Sequence, residues 1–129
     1  MRKLFGTLSI PGDKSVSHRA LILSSMSIGK SEITNLLEAD DIKATIQILK
    51  LLGITISKRL DKWIVYGNGT NGFLQPKKDL NALNSGTTAR TMIGAVSSNP
   101  ISCRFIGDKS LSKRSVSYTH LTLPTRTVV

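Results

Sequence analysis

With 129 residues, 40% of them hydrophobic, the chain is long enough for one domain with its own core, and no apolar run approaches the roughly 20 residues of a membrane span. Its basic start, residues 1–6, lacks the apolar run of a secretory signal, and a single cysteine, Cys103, excludes an internal disulfide and a cysteine-based metal site. The formal charge of +10 is spread without a block of five or six cations, and Phe5, Trp63, Tyr66, Phe73 and Phe105 are not interleaved with Lys or Arg as a stacking platform requires. A cytoplasmic protein that meets small anions is therefore expected, not one that binds nucleic acid or membrane.

Strand and helix patterns alternate along the chain. Residues 3–10 read as a strand that Pro11-Gly12 ends. Residues 15–28 read as a helix, with Val16, Ala20, Leu23 and Met26 at near-helical spacing and Gly29 as the residue after its end. Residues 31–36 form a short strand. Asp40 and Asp41 sit where a helix cap and a first-turn acid belong, and Ile42, Ile46, Leu49 and Leu52 follow as the core face of a helix that Gly53 closes. Residues 54–58 and 62–66 predict a hairpin turning at Leu60-Asp61, and residues 67–78 a loop. A helix over 85–97 and a strand over 101–106, which holds Cys103 as a small core residue, complete the pattern. The order is β-α-β-α-β-β followed by a fresh α-β, an α/β or α+β arrangement with mixed strand pairing.

One junction in this pattern carries chemistry. Pro11-Gly12-Asp13-Lys14-Ser15-Val16-Ser17-His18-Arg19 joins the first strand to the first helix and gathers Lys14, Ser15 and Arg19 at a helix start. Unpaired backbone N–H groups and partial positive charge at that end suit a phosphate or carboxylate. Asn84-Ser85-Gly86-Thr87-Thr88-Ala89-Arg90 repeats the design: a small turn, hydroxyls and a cation at a helix start, with Gly86 allowing close approach to the backbone. Gly12-Asp13-Lys14-Ser15 also returns as Gly107-Asp108-Lys109-Ser110, again after a strand and followed by Lys113-Arg114. Two other motifs are decoys. Gly67-Asn68-Gly69-Thr70-Asn71-Gly72 matches a dinucleotide fingerprint in letters, but no helix follows it, and Gly29-Lys30-Ser31 follows a helix where a phosphate loop must precede one.

Taken together, P-G-D-K-S-x-S-H-R, L-N-S-G-T-T-A-R and G-D-x-S-L-x-K-R, in this order and spacing, resemble the N-terminal part of the 5-enolpyruvylshikimate-3-phosphate synthases (3-phosphoshikimate 1-carboxyvinyltransferases). Residues 36–41, L-L-E-A-D-D, fit the same family, and the resemblance covers residues 1–114. It implies a fold of repeated β-α-β-α-β-β units in two lobes, of which this chain holds one unit and part of a second. It also implies a reaction. The enolpyruvyl group of phosphoenolpyruvate passes to the 5-hydroxyl of shikimate 3-phosphate by addition and elimination, phosphate is released, and no metal or organic cofactor takes part. Family members are usually monomeric.

Site roles follow from the resemblance residue by residue. Lys14 would contact both substrates and act in catalysis. Ser15 and Arg19 would hold shikimate 3-phosphate. Gly86 would line the phosphoenolpyruvate pocket, which in this family also accepts glyphosate, and Arg114 would clamp phosphoenolpyruvate. Asn84, Thr87 and Arg90 would shape the site, and His18 would be a bystander.

Residues 115–129 depart from the family pattern, which continues with a proline and a helix, and are expected to be foreign to it. Residues 1–12 are expected to belong with the family's other lobe, and residues 13–114 to form part of the N-terminal lobe. The chain alone is then expected to be inactive, since the opposite lobe carries the catalytic acid and base. Three alternatives remain at this point, the plainest being a non-catalytic structural fragment. The related UDP-N-acetylglucosamine enolpyruvyl transferases share the fold but carry Asn after the lysine and lack S-x-x-x-R, and a basic nucleic-acid-binding module is a different class altogether.

Overall fold

The computed structural model describes residues 2–113 and the backbone of Thr127–Val128. The element order is α1 (Lys14–Met26), β1 (Ile28–Thr34), α2 (Asp40–Leu51), β2 (Thr55–Arg59), β3 (Lys62–Asn68), β4 (Leu80–Asn81), α3 (Gly86–Val96), β5 (Cys103–Ile106), α4 (Lys109–Ser112) and β6 (Thr127–Val128). Pairing is not mixed within one sheet, as expected from sequence, but divided between two. One sheet is antiparallel in the order β1-β3-β2, and the other is parallel in the order β4-β5-β6.

The helix α2 shows how sequence dictates the fold locally. Ile42, Ile46, Leu49 and Leu52 are all buried, as their spacing requires. Asp40 and Asp41 occupy the first turn and Lys50 the last, each matched to the sign of the helix end. The N-cap position itself falls to Ala39, one residue earlier than expected, and it makes no side-chain cap bond. At the other end Gly53, at φ +89°, lets its own N–H reach Lys50 O at 3.1 Å and Ile54 N–H reach Leu49 O at 3.0 Å. Those two bonds form the Schellman pattern that ends the helix.

The hairpin forms as predicted, with Arg59 opposite Lys62 and Leu60 at φ +56° in its turn. Gly67, the first glycine of the decoy fingerprint, lies inside β3 opposite Gly29, and it is a glycine for a packing reason. A Cβ there would collide with the carbonyl oxygens of Ser24 and Ser27 at the end of α1. Cys103 is buried on β5, as expected.

Three further expectations fail. Gly29 does not follow the end of α1 but lies inside β1, because the helix stops at Met26 and Ser27 caps it. The strand over 3–10 is not formed, because no neighbouring strand completes a ladder for it among the described residues. Its apolar side chains instead face solvent, with Leu4 98% and Phe5 89% exposed. The face of α1 is also different from the apolar spacing. Val16 and Leu23 are exposed, and the helix buries Ser17, His18, Leu21, Ile22 and Ser25. Two of the hydroxyls satisfy themselves within the helix, Ser17 Oγ donating to Asp13 O at 2.6 Å and Ser25 Oγ to Leu21 O at 2.7 Å. Small polar residues that bond their own backbone can face a core at little cost, so polarity misassigned this face.

Among the described residues no helix is long and apolar enough to cross a membrane. No group of three or more His, Cys, Asp or Glu side chains among them is placed to hold a metal ion.

Candidate active site

Each of the three sequence motifs begins a helix, and each helix has a side-chain cap. Asp13 accepts from Val16 N at 2.8 Å, Ser85 from Thr88 N at 3.0 Å and Asp108 from Leu111 N at 2.8 Å. The echo of G-D-K-S is therefore structural, since Asp13 and Asp108 are the N-caps of α1 and α4. Each cap takes up one of the first-turn amides that would otherwise be open to an anion.

Lys14 is the first residue of α1, and its ammonium forms an ion pair with the Asp41 carboxylate in the first turn of α2. The lysine side chain is half exposed and that of Asp41 28% exposed, so the pair sits at the edge of solvent. Asp41 was legible in sequence only as a helix-start acid. Its partner lies 27 positions away, and no local signal announces the pair.

Beside Asp41 opens a cleft of about 360 Å³ lined by Asp40, Asp41, Asn81, Leu83, Asn84, Gly107 and Asp108. Its floor is set by the β4–α3 connection. Leu83 N donates to Asn81 Oδ1 at 2.8 Å, and Asp108 N donates to Leu83 O at 2.9 Å. Asp41 thus joins all three motifs. It holds Lys14 of the first, and it shares the cleft with Asn84 of the second and Gly107 of the third.

The remaining expected site residues are placed as follows. Ser15 and Arg19 lie one turn apart on the exposed face of α1 and do not line this cleft. Gly86 is the half-buried first residue of α3, Thr87 follows it and is exposed, and Arg90 is half-buried one turn further on. Arg114 lies outside the described residues.

His18 is not a bystander in packing terms. It is completely buried, and its Nδ1 lies 2.8 Å from Thr45 Oγ1. Burial pushes its pKa below the usual histidine value; the Asp41 carboxylate works against that shift and the Lys14 ammonium adds to it. Desolvation is the largest of the three, so the folded chain binds the proton less readily than the unfolded chain. The stabilisation from a neutral His18 is present in full above about pH 6.5 and is lost as pH falls toward the folded-state value. Urea midpoints are therefore expected to drop between pH 7.5 and 5.5, and to drop less when His18→Asn removes the titrating group. Equal pH dependence in the two proteins would exclude His18 as a source of the effect.

The family profile described as EPSP synthase (3-phosphoshikimate 1-carboxyvinyltransferase) matches residues 1–122. The chain belongs to the EPSP synthase family. It is 46% identical over 112 residues to the 3-phosphoshikimate 1-carboxyvinyltransferase of Sphingopyxis alaskensis, and 47% identical over 112 residues to that of a Bradyrhizobium species. Each alignment covers 86% of this chain and 25% of the relative. A solved EPSP synthase from Acinetobacter baumannii superimposes with a TM-score of 0.81 at 35% identity, over 86% of this chain and 26% of that one. The chain thus spans about a quarter of the length of the EPSP synthases it matches. The profile match runs past Arg114 into the segment that the motifs left unassigned.

Proposed function

We propose that this segment forms one wall of the cleft in which an EPSP synthase transfers the enolpyruvyl group of phosphoenolpyruvate to the 5-hydroxyl of shikimate 3-phosphate. The observation that carries this reading is the meeting of all three motifs at Asp41, through its ion pair with Lys14 and the cleft it shares with Asn84 and Gly107. Both substrates are polyanions, so the reaction needs fixed positive charge where they meet. Lys14 supplies a compact ammonium at a helix start, already held in place by Asp41. Ser15 and Arg19 extend that wall along the exposed face of α1, toward the 3-phosphate. Gly86 gives phosphoenolpyruvate close access to the start of α3, and Arg114 holds its charged end. Asn84, Thr87 and Arg90 shape the pocket. Residues 1–12 complete their strand in the opposite lobe, which supplies the acid and base. Such a biosynthetic enzyme works in the cytoplasm.

Titration of the 15N-labelled chain with shikimate 3-phosphate tests the reading. Weak, saturable shifts are expected at the amides of Lys14, Ser15 and Arg19, with smaller ones for shikimate, which lacks the phosphate. The same chain, given both substrates, is expected to release no phosphate. Identical responses to shikimate and its 3-phosphate would refute the assignment of α1, and measurable turnover would refute the need for a second lobe.

A further inference from the structure

Three helices meet at one buried polar contact. His18 on α1, Thr45 on α2 and Thr88 on α3 are each completely buried. The imidazole Nδ1 lies 2.8 Å from Thr45 Oγ1, and Thr45 Oγ1 lies 3.0 Å from Thr88 Oγ1. Thr88 Oγ1 lies 3.1 Å from the carbonyl oxygen of Asp41, the residue whose side chain holds Lys14. Thr45 Oγ1 also approaches that carbonyl, but at 3.4 Å.

Each hydroxyl has one proton, so the protons can run along this chain in two directions. In one, Nδ1–H donates to Thr45, Thr45 donates to Thr88, and Thr88 donates to Asp41 O. Each of these three contacts then has one donor and one acceptor, and only the longer approach of Thr45 to Asp41 O goes unused. In the other, Thr88 donates to Thr45 and Thr45 to a bare Nδ1. The contact to Asp41 O is then unused, and the ring proton sits on Nε2, which has no hydrogen-bond partner among the described residues. A buried N–H without an acceptor bears the full cost of its lost hydration. The first direction makes one more bond and leaves only a ring lone pair unmet.

We propose that His18 is a positioning residue, held as the Nδ1–H tautomer, whose directed hydrogen-bond chain through Thr45 and Thr88 fixes the starts of α1 and α3 against Asp41 on α2. The inference rests on the function proposed above only for what that spacing serves. It explains why a histidine occupies a core position between helices where an aliphatic side chain would pack. An aliphatic residue would leave the Thr45 and Thr88 hydroxyls without a donor to order them.

Long-range 1H–15N correlation on the histidine-labelled chain at pH 7.5 reads the tautomer directly, and the His18 signals are identified by their loss in a variant. A protonated Nδ1 and a bare Nε2 are expected. An Nε2–H tautomer, or averaged shifts for the two nitrogens, would overturn the proposal. Two substitutions then test the chain of bonds. In His18→Asn the amide nitrogen takes the place of Nδ1 and can donate to Thr45; in His18→Gln it lies one bond further out and cannot. H18N is expected to keep the wild-type amide shifts of Ser15 and Thr87, and H18Q to move both. Equal displacement in the two variants, or none in H18Q, would also overturn it. Should H18Q fail to fold, the tautomer together with the H18N spectrum decides the matter. All of these readouts are taken without ligand, so a failed substrate titration counts only against the function proposed above.

Discussion

Replacing Lys14 by Met in a full-length EPSP synthase that carries this segment is expected to lower kcat/KM by about 10²–10³-fold, the scale of losing one preorganised electrostatic group. Two effects of the same sign add. The substitution removes the ammonium at the start of α1, and it leaves the Asp41 carboxylate without its counter-charge beside a cleft that also holds Asp40 and Asp108. Polyanionic substrates would then meet three carboxylates with no lysine between them. The two effects separate in the double variant Lys14→Met/Asp41→Asn. Without the unpaired carboxylate, substrate affinity should recover in part, as a lower KM, and kcat should stay low because the lysine is still missing. A Lys14→Met enzyme within tenfold of the parent in kcat/KM would remove Lys14 from the catalytic wall.

The pairing behind that prediction shows where sequence reasoning reaches and where it stops. Periodicity is a local property, and where burial follows it the reading succeeds. Ile42, Ile46 and Leu49 sit at helical spacing and are buried, and the residues flanking Leu60-Asp61 pair across their turn. The motif starts succeed for the same reason, since a cap such as Asp13 bonds an amide three residues away. The local failures are shifts of a residue or two at helix ends, and the larger ones are long-range. The strand over 3–10 has strand composition, but a ladder needs a partner that composition cannot supply. β4 is two residues long and exists because Leu80 lies opposite Phe105 of β5. The Lys14–Asp41 pair and the His18–Thr45–Thr88 contact join residues far apart in sequence, and polar residues in a buried helix face look in sequence like a surface. The three helix starts of the candidate site were legible, and the contacts that bring them together were not.

The backbone around the first motif leads to the second large effect. Gly12→Ala is expected to destabilise the chain by about 3 kcal/mol, at the upper end of ordinary overpacking. A Cβ at Gly12 would fall within the van der Waals shell of the Asn35 carbonyl oxygen and 3.2 Å from both Asn35 C and Leu37 N. All three are backbone atoms, so no rotamer change relieves the clash. Nor is the loop free to retreat. Leu37 N donates to Ser17 Oγ on α1 at 3.1 Å, and Asn35 already holds a positive φ of 55°. The alanine must therefore push the start of α1 away from the loop that leads into α2, which separates Lys14 from Asp41. Gly6→Ala is the matched control. A Cβ at Gly6 meets nothing within 4 Å, and its expected effect is within about 0.5 kcal/mol. Urea unfolding of the two variants beside the parent gives both numbers. If Gly12→Ala costs no more than Gly6→Ala, the first motif keeps its glycine for a reason other than close packing against Asn35. If it is destabilised and shikimate 3-phosphate still shifts Lys14 and Ser15 as in the parent, the position of α1 does not govern the site.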